Sequence, residues 1–440
     1  MKLILPFLII IFLNNCSFDN KSGIWQNEKT ISKKDNKFRE FKTLRSINDS
    51  YNETVVFNRN FDLKVDDKIN NSFWRDIYFN DGNNFKNFNF SNYNKKTFLG
   101  KKISRYEINK HFLYEEDYII TSDVKGNVII FSIKENKILK KFNFYKKKYK
   151  KIQKNLNFIL EKKILYITDN IGFIYAFDIK NENILWAKNY KIPFRSNIKI
   201  YKEMIITATQ NNNLLFFNKK TGAILRLIPT EETVVKNQFI NNLAIDANIS
   251  FYLNTYGSLY AVDNSNMKII WFLNLNKSLD LNASNLFLGN QVVINDNKLF
   301  VSTNNFLYVI NKNDGRIIYK KNIILASKPL VSNNYILSIT KNNFLILMNA
   351  DDGKIIYSYE IAKKIADYLE SKKKKIDFKN IFFANDRILI FLKNSYILSI
   401  RINGEIEKIS KLSSKIYSNP IFIKGSLLFF DKKNRLVISN

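Results

Sequence analysis

Gly172-Phe173-Ile174-Tyr175-Ala176-Phe177-Asp178-Ile179-Lys180 is the phrase on which the reading of this chain turns. A turn-permissive residue is followed by an aromatic and β-branched run that closes on polar residues, the make-up of a short strand leaving a hairpin. Related phrases start at Gly126 (GNVIIFSIK), Asn212 (NNLLFFNKK), Gly257 (GSLYAVDNS), Asn305 (NFLYVINKN), Asn343 (NFLILMNAD), Ser395 (SYILSIRIN) and Asn434 (NRLVISN). Successive starts lie 46, 40, 45, 48, 38, 52 and 39 residues apart. Eight copies at a period in the low-to-mid forties have the spacing of propeller blades.

The flanks of each copy repeat as well. An apolar run precedes it, as in Lys163–Thr168, Met204–Thr207, Lys298–Ser302 and Arg387–Phe391. A tight-turn signal and a further run follow it, at Thr221-Gly222, Asp314-Gly315, Asp352-Gly353 and Asn403-Gly404. Glycine tolerates the positive φ of such turns, so each unit reads as an antiparallel meander. A lone meander cannot bury both its faces, whereas blades stacked around an axis can. The sequence therefore predicts an all-β, eight-bladed β-propeller of four-stranded antiparallel blades over residues 69–440. The single stretch that departs from strand character is Ile361 to Ser371. The eighth copy runs out at Asn440 after its third strand, so an N-terminal strand must close the ring. Ser72–Ile77 is the candidate, with Trp74 in the outer-strand place that Trp186 and Trp271 hold in their own copies.

The chain has 70 basic and 39 acidic residues, a formal charge of +31, alongside 12 Gly and 5 Pro. Lys, Asn, Ile and Phe are all abundant, which points to codon bias rather than a nucleic-acid ligand. Net charge bears on solubility and non-specific association, not on fold. With one cysteine, Cys16, and one histidine, His111, an intramolecular disulfide and the usual zinc and nucleophile–base sets have no residues to draw on. No catalytic residue, metal or cofactor is assigned, and His111 is given no role. The runs Lys146–Lys151 and Lys372–Lys375 fall in long intervals and read as loop extensions. They are either solvated loops or surfaces apposed to anionic lipid.

Met1-Lys2 followed by the apolar run Leu3–Leu13 is too short to span a bilayer and fits a signal peptide over residues 1–15. The run ends in Leu13-Asn14-Asn15-Cys16, which resembles the lipobox of bacterial lipoproteins, with Asn15 where a small residue is usual. The resemblance implies lipidation of Cys16, and Ser17 after it implies the outer membrane. An ordinary secretory signal with an incidental cysteine is the other reading. Residues 16–68 are polar and weakly periodic, and read as a flexible lipid-anchored tether.

Gly257–Asp263 together with Lys268–Trp271 resembles the PQQ-type propeller repeat, over roughly residues 70–440. A stand-alone propeller behind a lipoprotein-like N-terminus is similar to the BamB family of outer-membrane assembly lipoproteins. That resemblance implies a non-catalytic adaptor of the β-barrel assembly machinery, facing the periplasm. Its partners would be the POTRA domains of the central barrel protein and nascent outer-membrane proteins. The family's docking loop carries an apolar-x-apolar-Arg motif, matched here by Ile192, Phe194 and Arg195. Its acidic counterpart in the next inter-blade connection is matched by Asp246, while Ala244 stands where a second acid is expected. The alternative reading of Phe194 is blade packing, with Arg195 a solvated loop charge. The rival function is a quinoprotein dehydrogenase, holding PQQ and calcium on the axis; a propeller lipoprotein with another envelope partner is a further one.

Overall fold

The computed structural model describes residues 17–18, 25–26, 51–58, 63–91, 96–232, 240–276, 287–372 and 375–439. The chain divides into two compact units, Met1–Asp49 and Ser50–Asn440. In the first, Ser17–Phe18 pairs antiparallel with Trp25–Gln26. Cys16 and the signal segment lie outside the described residues.

The second unit is an eight-bladed propeller. Blades 1 to 8 are built on inner strands Leu113–Glu115, Leu156–Glu161, Lys199–Tyr201, Asn242–Asp246, Val293–Asn295, Leu330–Ser332, Phe378–Ala384 and Ile421–Ile423. Each blade meanders outward through four antiparallel strands. The one α-helix among the described residues, Ile361–Tyr368, follows the outer strand of blade 6, within the stretch expected to depart from strand.

In seven of the eight copies, all but the one opening at Asn305, the residue that opens the phrase turns second strand into third in a left-handed conformation. Gly126, Gly172, Asn212, Gly257, Asn343, Ser395 and Asn434 all have φ between 59° and 106°. Only glycine and, at a smaller cost, asparagine take that conformation readily, which is why the repeat opens as it does. In blade 2 the turn is held by Asp169, whose Oδ1 accepts from the amides of Ile171, Gly172 and Phe173 at 2.8–2.9 Å. Second and third strands are buried on both faces, as at Phe173–Asp178, because neighbouring blades sandwich them. The outer strands, such as Asn183–Asn189, are largely exposed.

Several neighbouring blades dock through an aromatic side chain laid on the next blade's outer hairpin. A Cβ added to Gly222 of blade 3 would stand 2.5 Å from the Trp186 ring of blade 2. Gly315 meets Trp271, and Gly353 meets Tyr319, in the same way. Trp186 Nε1 donates to the Lys219 carbonyl and Trp271 Nε1 to that of Lys312, each at 3.1 Å.

An N-terminal strand closes the ring, and it is Lys96–Lys102, not the expected Ser72–Ile77. It forms the outer strand of blade 8, with Leu99 opposite Val437 and Phe98 opposite Ile438. Residues 71–91 instead run round the inside of the wheel and bond to every blade in turn. Trp74 exchanges backbone hydrogen bonds with Tyr114 of blade 1, and the Arg75 carbonyl accepts from Leu160 of blade 2. Lys199 Nζ of blade 3 donates to Asp76 Oδ2 and to the Asn80 carbonyl, both at 2.7 Å. The Asp81 and Gly82 carbonyls accept from Ile245 of blade 4 and Ile294 of blade 5. Asn84 Nδ2 donates to the Val331 carbonyl of blade 6 at 2.8 Å. Asn87–Phe88 adds a parallel strand inside blade 7, and Ser91 donates to the Gly425 carbonyl of blade 8. Trp74, Phe85 and Phe88 fill the middle of this plug, with Phe85 stacked on Phe382 and Phe88 on Phe422. Trp74 resembles an outer-strand tryptophan because both are apolar residues in a strand-like setting, but it pairs with an inner strand.

Residues 51–57, assigned to the tether from sequence, also lie on the propeller. Val55 and Ser358 of blade 6 exchange backbone hydrogen bonds at 2.9 and 3.0 Å, and the Tyr51 hydroxyl is 2.8 Å from Ser358 Oγ.

Asp76 and Lys199 are both buried, and removing one partner of a buried ion pair strands the other charge. Lys199→Met is expected to cost about 3–5 kcal/mol. Adding Asp76→Asn should recover much of that loss. Urea denaturation of the single and double variants checks this; a single variant as stable as wild type would show that the plug does not secure the ring.

Candidate functional site

Consecutive turns of a meander alternate between the two faces of the wheel. One face carries the inter-blade connections and the turns from second to third strands. The other carries the inner and the outer hairpins.

Ile192, Phe194 and Arg195 sit on the connection between the outer strand of blade 2, Asn183–Asn189, and the inner strand of blade 3. Backbone bonds fix the loop on both sides. Phe194 N donates to the Asp169 carbonyl, Arg195 N to that of Ala208, each at 2.9 Å, and Gln210 N donates to the Pro193 carbonyl at 2.7 Å. Gly172 lies beneath it, with space for no side chain: an added Cβ would be 2.9 Å from Ile192 N. Phe194 is 3% exposed and packs edge-on against Phe217 of blade 3. It is a blade-packing residue. Ile192 and Arg195 are partly exposed, and burial lowers the pKa of the Arg195 guanidinium.

Asp246 does not join them. It ends the inner strand of blade 4, Asn242–Asp246, and ion-pairs with Lys312 on the outer hairpin of blade 5. That is the opposite face, about 13 Å away along a five-residue strand. The connection that leads into blade 4 carries Glu231 and Glu232 among its described residues. Glu231 accepts from Ser258 Oγ at 2.9 Å, Asn254 Nδ2 at 3.0 Å and the Tyr260 hydroxyl at 2.5 Å. Sequence spacing passes over these two because this connection is extended, so an acid counted from the strand pattern falls on the strand itself.

On the connection face the axial channel opens as a cavity of about 270 Å³. Trp74, Ile77, Tyr78 and Phe85 of the plug are among its walls, with His111, Lys328 and Lys379 from the blades. Lys328 Nζ lies 3.5 Å from the Phe85 ring centre and donates to the Asn83 carbonyl. Burial, with Lys110, Lys393 and Lys432 nearby, brings the Lys379 pKa down to about 8. Calcium takes six to eight oxygen ligands, typically including carboxylates. This lining has no carboxylate and two lysines, so its residues do not fit a calcium-bound quinone. Among the described residues no group of three or more His, Cys, Asp and Glu is placed to hold a metal.

The comparisons with known proteins agree with this architecture. Residues 244–408 match the family model described as outer membrane protein assembly factor BamB. No curated protein matches the sequence. Among solved structures, BamB from Moraxella catarrhalis is similar at 12% identity and a TM-score of 0.61, over 78% of this chain and 99% of that one. A computationally designed protein is similar at 10% identity and a TM-score of 0.58, with the same coverage. A europium-containing methanol dehydrogenase is similar at 11% identity and a TM-score of 0.59, over 83% of this chain and 89% of that one.

Burial lowers the His111 pKa from 6.5 to about 4; the Ile77 carbonyl opposes this, and Lys328, Lys110 and Lys379 reinforce it. A depressed histidine pKa means that the unfolded chain takes up the proton first as pH falls. The His111 contribution to stability is therefore complete above about pH 6.5 and is lost between there and about pH 4. The span is roughly 3 kcal/mol. His111→Gln should flatten that part of the profile, read as urea midpoints across the range; an unchanged slope would rule out this assignment.

Proposed function

We propose, starting from a BamB-type propeller of PQQ-like repeats, that the chain is a non-catalytic adaptor in outer-membrane protein assembly. The observation that carries the non-catalytic reading is the plug. In a propeller the axis is where a group could be held by all blades at once, and here residues 71–91 take up those inner-strand contacts. What stays available is the loop surface of the connection face, and loops held on a rigid scaffold are suited to recognition. The family match and the fold support barrel assembly as the setting. In this reading the chain stands at the periplasmic face of the outer membrane, tethered through Cys16. It docks on the POTRA domains of the central barrel protein and meets nascent barrel chains.

The docking element in this proposal is the connection between blades 2 and 3. Arg195, partly exposed on a loop pinned at both ends, is the anchor, with Ile192 beside it. Arginine is among the side chains that most often dominate interface energy. Phe194 serves the site by holding the loop to the blade. Asp246 belongs to a separate surface, and Glu231 and Glu232 take its place as the acidic candidates on the Arg195 face.

Arg195→Ala should weaken co-purification of the central barrel protein from cross-linked outer membranes while leaving the melting temperature near that of wild type. Phe194→Ala should instead lower stability by about 3–5 kcal/mol, the usual penalty for emptying a buried phenylalanine site. Undiminished recovery of the partner by a folded Arg195→Ala variant would remove this docking site.

A further inference from the structure

A second groove on the connection face, away from the axis and from Arg195, is strongly basic. It lies over blade 1, between the link from blade 8 and the extension toward blade 2, and has a volume of about 890 Å³. One wall is the end of the ring-closing strand and the link into blade 1, with Lys102, Arg105 and Tyr106. The floor is the second-to-third turn of blade 1, with Lys125 and Asn127. The other wall is the extension between blades 1 and 2, where Lys146, Lys147 and Lys150 enter from the first lysine run. With Lys141 and Lys154, eight cationic side chains and no carboxylate line the groove among the described residues.

The extension is anchored as part of the fold. Lys154 is 4% exposed, donates to the Tyr149 carbonyl and lies 5.1 Å from the Tyr145 ring centre. The Tyr145 hydroxyl in turn bonds Asp169. Two buried carboxylates do lie behind the wall, but both are engaged elsewhere. Asp123 accepts from Ser104 Oγ at 2.8 Å and from Asn127, and Asp169 caps the blade 2 turn. On the rim, Arg105 and Lys125 flank Tyr106, at 5.0 and 5.7 Å from its ring centre. None of the eight makes an ion pair among the described residues.

A cleft lined by one sign of charge focuses the field and concentrates counter-ions of the other sign. The donor chemistry narrows the ligand. Seven of the eight cations are lysines, compact point charges that can each meet a phosphate oxygen from any direction, and so many positive charges around one groove suit an anion of high charge density better than a single carboxylate. The groove is also far larger than one phosphate needs.

We propose that this groove binds an anion bearing two or more phosphate groups close together, supplied either by a lipid headgroup or by a soluble oligophosphate. The site does not depend on the barrel-assembly reading, since it uses neither the axial channel nor the connection between blades 2 and 3.

The test uses the full chain, with sodium tripolyphosphate titrated by calorimetry at low and high salt. Wild type should bind, and binding should weaken as salt rises. Lys147→Ala/Lys150→Ala, on exposed positions of the extension, should keep the wild-type melting temperature and bind about tenfold more weakly or worse. Lys372→Ala/Lys375→Ala, which removes equal charge from the other lysine run, should bind as wild type does. Sedimentation with cardiolipin-containing phosphatidylcholine vesicles then distinguishes the source. Vesicle binding that tripolyphosphate displaces identifies a lipid headgroup; tripolyphosphate binding without vesicle binding identifies a soluble anion. No tripolyphosphate binding, or equal weakening by both double variants, would overturn the proposal.

Discussion

Every blade has two apolar faces and cannot cover either of them itself, so the molecule depends on contacts between one blade and the next. The aromatic ring laid on a neighbour's hairpin glycine is the most explicit of these. Trp186 on Gly222 and Trp271 on Gly315 leave no room for even a methyl group, and each indole also caps a carbonyl of the same hairpin. Ring and hydrogen bond together fix the distance and the angle between blades 2 and 3 and between blades 4 and 5. The angles at all eight seams together must bring blade 8 back to blade 1, so each local contact bears on a global dimension.

Closing a wheel leaves an axis, and the two ends of the chain deal with the two resulting problems. The strand Lys96–Lys102 completes blade 8 by pairing with its third strand, Arg435–Ser439, whose edge would otherwise be bare. The segment before it fills the axis, where eight inner strands present backbone groups toward one another. Asn83 shows how the polar side of this is managed: its Nδ2 donates to the Leu243 and Val292 carbonyls on two adjacent blades. The aromatic side chains between these amides cover apolar surface that would otherwise line a water-filled hole. With the blade 8 strand paired and the hub filled, the loops remain as exposed surface on a rigid frame.

The propeller was legible in the sequence because its determinants are local and repeated. A left-handed residue stands at seven of the eight second-to-third turns, and Gly172, Asn212 and Gly257 mark it openly. The Asp-Gly and Asn-Gly steps at Gly315, Gly353 and Gly404 mark the outer hairpins in the same way. The plug was not legible, for the converse reason. Residues 71–91 bond through isolated backbone groups and asparagine amides to eight different strands, an arrangement with no period to detect. Their phenylalanines were the available clue: Phe85, Phe88 and Phe90 recur in an otherwise polar stretch. The candidate docking site was half legible. Its loop lies where the repeat put it, but a four-residue motif could not separate the buried Phe194 from the partly exposed Arg195. Asp246 was displaced to the far face by a longer connection than the repeat implies.

The plug also has a consequence for the order of assembly. Asn71 bonds the Phe422 carbonyl, a contact between residues 351 apart in the chain. The segment that holds the hub is synthesised first, yet its last partners are made only when the chain is almost complete. Loops of that length close slowly, because the entropy is lost before the contacts that compensate it exist. The hub must therefore wait, with its aromatic residues uncovered, until the final blade arrives, and that interval is when the young protein is most open to aggregation or to the care of a chaperone.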